Sequence, residues 1–360
     1  MNGALLTRPR VLIPALFGAL LTLAACAQAG PDEVVAAATD DQSYAVVYGW
    51  PSLPAGYRMG QAAGLAVNSR NEVVLFHRAD QSWLREDGMI TRPTIMVLDG
   101  ATGEVVREIG AGLFRNAHGT AVDSEDNIWV TDNNLHQVFK LSPEGEVLLV
   151  VGEEGVRGED ETHFNGVTDV AVAPDGSFYV SDGYGNNRVA KFDAQGNFLF
   201  DWGGERGTGP GQFDLPHGIT LDDEGNVYVA DRTNSRIQKF DAEGNFLAEW
   251  TQWQSADLGR PWGLEYHDGS IFVADGGEYW LVSQFRTERP DTLPLDRAQI
   301  QRLDMQGNVV EAWGEYGRHD GQMVWPHDVT VDGDGNVYSA EVHQGMRIQK
   351  WARGGGSVGR

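Results

Sequence analysis

Three histidines, His118, His217 and His327, each stand directly before the first residue of a recurring segment, in the second, fourth and sixth of six copies. The same position in the first, third and fifth copies holds Ala63, Thr168 and Trp262. Three imidazoles with a fourth position left open form a site at which zinc acidifies a bound hydroxyl or polarises an oxygen. A lone histidine lining a channel is ordinarily just hydrogen-bonded, but three in register on alternate copies point to a metal. Asp328 follows His327 where four other copies have Gly64, Gly119, Gly218 and Gly263. Its carboxylate could join backbone carbonyls around a harder cation, or accept hydrogen bonds from neighbouring backbone amides. The remaining histidines, His77, His136, His163, His267, His319 and His343, share no such register and read as surface or hydrogen-bonding groups.

Register carries meaning only if the copies are structurally equivalent. The fourth copy shows the unit clearly: Gly218 to Asp222, a turn at Glu224-Gly225-Asn226, then Val227 to Asp231. The others begin at Gly64, Gly119, Asp169, Gly263 and Asp328. An acid or its counterpart follows 13 residues after the start in five copies (His77, Asp132, Asp182, Asp231, Glu341) and 12 after it in one (Asp275). Alternating apolar and polar residues predict strands, and the Gly-Asn and Asp-Gly pairs predict tight hairpins. A third strand follows, as in Arg188 to Phe192, Arg236 to Phe240 and Arg347 to Trp351, and then a fourth, as in Phe198 to Trp202 and Phe246 to Trp250. The recurring Arg188, Arg236 and Arg347 are assigned to structure.

Four short strands in each of six units predict an all-β, six-bladed β-propeller over residues 43–353, in which alternate blades bring their histidines to the axis at one depth. The sixth copy ends after its third strand, and Tyr44 to Trp50 has the pattern of the missing fourth, so an N-terminal strand is expected to close blade six and remove its free edge. The Gly-rich residues 354–360 are expected to be a disordered tail.

Composition narrows the function. Acidic residues outnumber basic ones by 52 to 27, for a net charge of −25, which excludes a nucleic-acid partner and implies a solvated acidic surface. The single cysteine, Cys26, rules out an intramolecular disulfide and a Cys-based zinc site. Arg8 and Arg10 precede an apolar run from Val11 to Leu23, and Leu23-Ala24-Ala25-Cys26 resembles a bacterial lipoprotein signal. Residues 1–25 are therefore expected to be removed, Cys26 to carry lipid and residues 26–42 to form a tether; cleavage near Ala27 to Gly30 by an ordinary signal peptidase is the alternative. Either route exports the protein to the cell envelope, with membrane contact only through the anchor. A closed propeller buries its core unaided, so a monomer is expected.

These residues resemble NHL-repeat propellers and, more closely, the peptidyl-α-hydroxyglycine α-amidating lyases. The resemblance runs from Trp50 to Trp351 and is most specific at Phe76-His77-Arg78, His118-Gly119, Leu135 to Leu141, His163-Phe164, Ser181 to Tyr184, Pro216-His217, Ala230-Asp231-Arg232 and Pro326-His327-Asp328. It implies catalytic zinc on His118, His217 and His327, and structural calcium on Asp328 with the carbonyls of Leu65 and Thr120. It further implies a catalytic Tyr184 and functional Arg78 and Arg232. The implied reaction splits a peptidyl-α-hydroxyglycine, or a similar small α-hydroxy-amide, into an amide and glyoxylate. Tyr184 could shuttle the proton while the arginines pin carboxylate and amide oxygens. Taken singly, these arginines would ordinarily be surface salt bridges and the tyrosine a packing group.

Two departures from the family stand out: Gly185 replaces a cysteine that follows the tyrosine, and Trp325 replaces a pocket methionine. This chain has no copper monooxygenase domain of the kind that makes the substrate. The competing reading is a non-catalytic NHL propeller that binds a peptide or an envelope protein. A calcium-dependent hydrolase or lactonase is disfavoured by the histidine trio.

Overall fold

The computed structural model describes residues 44–81, 88–251, 259–276 and 297–354. The leader, Cys26, the tether and residues 355–360 of the tail lie outside these. Among the described residues the strands form six four-stranded antiparallel sheets, each with its first strand innermost. The inner strands are Ala62–Val67, Ala117–Val122, Asp169–Val172, Pro216–Leu221, Pro261–His267 and Pro326–Val331. The sixth sheet takes its outer strand from the start of the chain: Tyr44–Val46 pairs with Arg347–Arg353, placing Tyr44 opposite Arg353 and Val46 opposite Trp351. The Tyr44 ring also stacks on Trp313 of blade five at 4.2 Å.

Burial explains the residue pattern. Second strands such as Phe178–Asp182 and Val227–Asp231 are buried at every position, sandwiched between neighbouring blades, and read as continuous apolar runs. Outer strands such as Phe198–Gly203 have one wet face and alternate along their length. In blades two, four and six the hairpin between first and second strands is held by an Asp-to-Asn clasp. Asp222 accepts from the Asn226 amide and from the Tyr228 hydroxyl at 2.9 Å, and Lys239 lies 5.1 Å over the Tyr228 ring. Asp332, Asn336, Tyr338 and Lys350 repeat the arrangement in blade six.

The acid that ends each second strand ties its blade to the preceding loop. Asp231 accepts the Asp214 N–H at 2.8 Å and the Arg236 Nε–H at 2.8 Å; Glu341 does the same for Val324 N–H and Arg347. Arg188 likewise pairs with Asp182. In blade one His77 takes this place, with Nδ1 accepting the Ala79 N–H. Burial pushes its pKa down to about 4, so it stays neutral. His77 and His136 are thus buried hydrogen-bonding groups, the second of the two readings the sequence left; His136 Nδ1 accepts the Gly166 N–H at 2.9 Å.

The inner strands crowd one another at the axis. A Cβ on Gly119 would lie 2.2 Å from Asp169 Oδ1 and 2.6 Å from its Cα, and one on Gly263 would lie 2.2 Å from Asp328 Oδ1. In five blades the pairing of first and second strands slips at this level, between Ala62 and Gly64, Ala117 and Thr120, Pro216 and Ile219, Pro261 and Leu264, and Pro326 and Asp328. Such bulges re-aim a side chain, and here they bracket the position that carries the histidines. Gly119→Ala must push backbone against backbone, so it is expected to cost about 1–3 kcal/mol in urea unfolding. An unchanged midpoint would show that the ring has slack.

Candidate functional site

The three histidines meet on the axis. Their ligand atoms lie within 4.8 Å of one another, and all three residues are buried. Each Nδ1 faces a backbone carbonyl: His118 with Thr168 O at 2.6 Å, His217 with Trp262 O at 3.0 Å, His327 with Ala63 O at 2.7 Å. A carbonyl only accepts, so each Nδ1 carries the proton and each Nε2 presents a lone pair inward. The carbonyls come from the ring position of the next blade, so blades three, five and one orient the imidazoles of blades two, four and six. Burial, reinforced by neighbouring cationic groups, pushes His327 down to about 3 and the other two well below the usual histidine range. They are therefore neutral at physiological pH, the form that ligates metal. His217 Nε2 is buried without a hydrogen-bond partner, an orphaned acceptor that a metal ion would satisfy.

Tyr184 closes one side of this trio. Its hydroxyl donates to His118 Nε2 at 2.9 Å, while 43% of the residue remains exposed. The flanking glycines are required by close approach: a Cβ on Gly183 would lie 1.9 Å from Pro216 O, and one on Gly185 2.2 Å from Asn165 Nδ2. The Asn165 side chain thus fills the space where the resembling family has a cysteine, and the Tyr184 N–H donates to Gly166 O at 3.1 Å.

Arg78 and Arg232, each 4% exposed, occupy the same rim. Arg78 donates to Ala117 O at 3.1 Å and to Gln61 Oε1. The Arg232 guanidinium lies 4.1 Å over the Trp262 ring and 5.9 Å from the Tyr184 ring. Among the described residues neither guanidinium is in a salt bridge with a carboxylate, so they are not the surface ion pairs that arginines at such positions commonly make. Burial lowers both, Arg78 to about 10. Two buried cations that no described carboxylate bridges favour an anion beside them.

Further along the axis, Asp328, Leu65 and Thr120 line a cavity of about 190 Å³ together with Asp169 and Glu265. Asp328 Oδ2 accepts the Leu65 N–H at 2.7 Å, and Asp169 accepts the Ile219 and Val170 N–H groups. Of the two sequence readings of Asp328, the structure shows the hydrogen bond from a backbone amide, and the carboxylate also borders the cavity. Burial pushes Asp169 up to about 7, and burial with repulsion from Asp169 pushes Glu265 to about 8 and Asp328 well above the carboxylate range. The all-oxygen donor set suits a hard cation.

Sequence reasoning missed Glu265, Gln61 and the part played by Trp262. Glu265 did leave a signal, since its register equivalents are Ala66, Ala121, Ala171, Thr220 and Thr330. Gln61, which grips Arg78, left none. Trp325, which stands in for the pocket methionine, is buried and packs edge-on against Trp262 at 5.4 Å.

Comparison with known proteins adds relatives to this geometry. The NHL repeat model matches residues 114–141, 164–192 and 213–240. Peptidyl-glycine alpha-amidating monooxygenase B of Xenopus laevis is 35% identical over 82% of this chain and 34% of its own length. Peptidyl-alpha-hydroxyglycine alpha-amidating lyase 2 of Drosophila melanogaster is 29% identical over 85% of this chain and 75% of its own. The chain spans about a third of the length of the monooxygenase relatives it matches. A solved streptogramin B lyase shares the fold, with a TM-score of 0.52 at 15% identity over 87% of this chain and 97% of that one.

Glu265 yields a pH test. With its pKa raised to about 8 from 4.5, the folded state keeps a proton that the unfolded chain releases, so stability falls as pH rises across that window. In chelator, Glu265→Gln is expected to match the wild type near pH 4.5 and to exceed it near pH 9 by one to a few kcal/mol in urea unfolding. Parallel pH profiles would contradict the assignment.

Proposed function

Starting from an NHL-repeat six-bladed propeller with relatives named as amidating monooxygenase and amidating lyase, we propose that this chain is a zinc-dependent peptidyl-α-hydroxyglycine α-amidating lyase. It would cleave a peptidyl-α-hydroxyglycine, or a similar α-hydroxy-amide, into an amide and glyoxylate. The observation that carries the reading is the set of three neutral imidazoles, proton-locked by carbonyls, with the Tyr184 hydroxyl 2.9 Å from one of them. Zinc held by His118, His217 and His327 would supply Lewis acidity toward an oxygen of the substrate.

The chain's own groups cover the remaining tasks. The α-hydroxyl must lose its proton, its O–H electron pair becoming the carbonyl π bond as the C–N bond breaks, and the departing amide nitrogen must gain a proton. No water is consumed. Tyr184 is placed to carry that proton, being hydrogen-bonded inward and open to solvent outward. Arg78 and Arg232, cationic and in no salt bridge among the described residues, would hold the carboxylate that leaves as glyoxylate. Calcium on Asp328 and the carbonyls of Leu65 and Thr120 would join blades six, one and two and neutralise part of the axial acid cluster. The proposal includes export to the cell envelope, a lipid anchor on Cys26, and a monomer acting on small peptides.

The test is glyoxylate release from a synthetic peptidyl-α-hydroxyglycine by protein lacking residues 1–26. Release is expected to cease on chelation and return with zinc. Tyr184→Phe should lower kcat by about 100-fold or more with zinc content unchanged, and His217→Ala should lose the metal itself. Zinc-loaded, folded protein that releases no glyoxylate would overturn the proposal in favour of a peptide-binding propeller.

A further inference from the structure

We propose that Trp262 is a positioning residue that holds the Arg232 guanidinium at the rim of the histidine trio without neutralising it; the inference rests on the lyase reading above. Trp262 occupies on blade five the position that histidine occupies on blades two, four and six. Its backbone carbonyl accepts the His217 Nδ1–H at 3.0 Å. Its ring lies 4.1 Å from the Arg232 guanidinium carbon, 5.0 Å from the His217 ring and 5.6 Å from the His327 ring. One residue thus touches both the metal-binding set and a substrate-binding cation.

The indole is not there for its N–H. Nε1 is buried without a hydrogen-bond partner, and a Cβ on Gly276 would lie 2.5 Å from it. An unpaired buried donor carries a desolvation cost that a leucine or methionine would avoid. What an aliphatic residue lacks is the π face, and that face is turned to Arg232.

Arg232 needs such a partner. It is buried, its Nε–H is unpaired, and among the described residues no carboxylate is in a salt bridge with it. Arg260 approaches as a second cation, with its Nη1 donating to the Arg232 and Thr233 carbonyls at 3.0 and 2.7 Å. A carboxylate partner would fix the guanidinium but consume the charge that an anionic substrate has to meet. An aromatic face attracts the cation through its quadrupole and leaves the in-plane N–H groups free to donate. Tyr184 offers a second, more distant face at 5.9 Å.

The experiment compares Trp262→Leu, Trp262→Met and Trp262→Phe, alone and combined with Arg232→Gln. Each zinc-loaded variant is assayed for KM and kcat on a peptidyl-α-hydroxyglycine, for glyoxylate affinity by calorimetry, and for zinc content. The Leu and Met variants are expected to raise KM and weaken glyoxylate binding about tenfold, with kcat less affected and one zinc per chain retained because the backbone carbonyl remains. Phe should restore most of the affinity. In the Arg232→Gln background the Leu and Met changes should add nothing further, an outcome that a purely packing role would not produce. The inference is overturned if KM and glyoxylate affinity are unchanged in the Leu or Met variant, if the loss is equally large in the Arg232→Gln background, or if wild-type protein binds no glyoxylate. Glyoxylate binding without turnover would refute the lyase reading while leaving the Trp262 result to stand on affinity alone.

Discussion

The whole arrangement depends on how little room six inner strands leave at their common axis. Where a Cβ would meet the next blade at 2.2 Å, the chain must use glycine, and the residue before that glycine is turned inward by a slip in strand pairing. That geometry brings backbone carbonyls from one blade within hydrogen-bond reach of the side chain of its neighbour. Three histidines in such a ring have their tautomers chosen for them and their water removed, so they stay neutral and present their Nε2 atoms to one point. The metal-ligating capacity of the site is therefore a product of ring closure, not of any one blade.

Strand register places opposite charges at different heights along that axis. Ala62 pairs with His77 at the rim, beside Arg78, whereas Val67 pairs with Val73 farther in. The rim accordingly holds Arg78 and Arg232 with no salt-bridged carboxylate among the described residues, and the cavity farther along holds Asp169, Glu265 and Asp328. Neutral imidazoles lie between the two. Buried cations and buried acids are thus kept apart along the axis, the acids held toward their neutral forms by desolvation.

Legibility from the sequence varied with the range of the interaction involved. The register of His118, His217 and His327 was readable because blade repetition converts a sequence spacing into an angle about an axis. The recurring acid and arginine of each blade were readable for the same reason, and their partners are local. Gln61 holding Arg78, Asn165 filling the space beside Gly185, and Trp262 facing Arg232 were not readable. Each joins segments whose spacing follows no repeat, and their approach depends on side-chain shape at the rim. Of the two readings the sequence leaves for His77, surface or hydrogen-bonding, the structure selects the second, because the adjacent blade covers the residue and the Ala79 N–H meets its Nδ1.

The sequence by itself determined the blade count, the strand order within each blade and the positions at which residues face the axis, because hydrophobic period and turn chemistry are local properties repeated six times. Only the tertiary structure decided the protonation of the imidazoles, the burial of Arg78 and Arg232, and the gathering of Glu265 with Asp169 and Asp328. Those properties come from desolvation and from contacts between blades, and neither exists until the ring has closed.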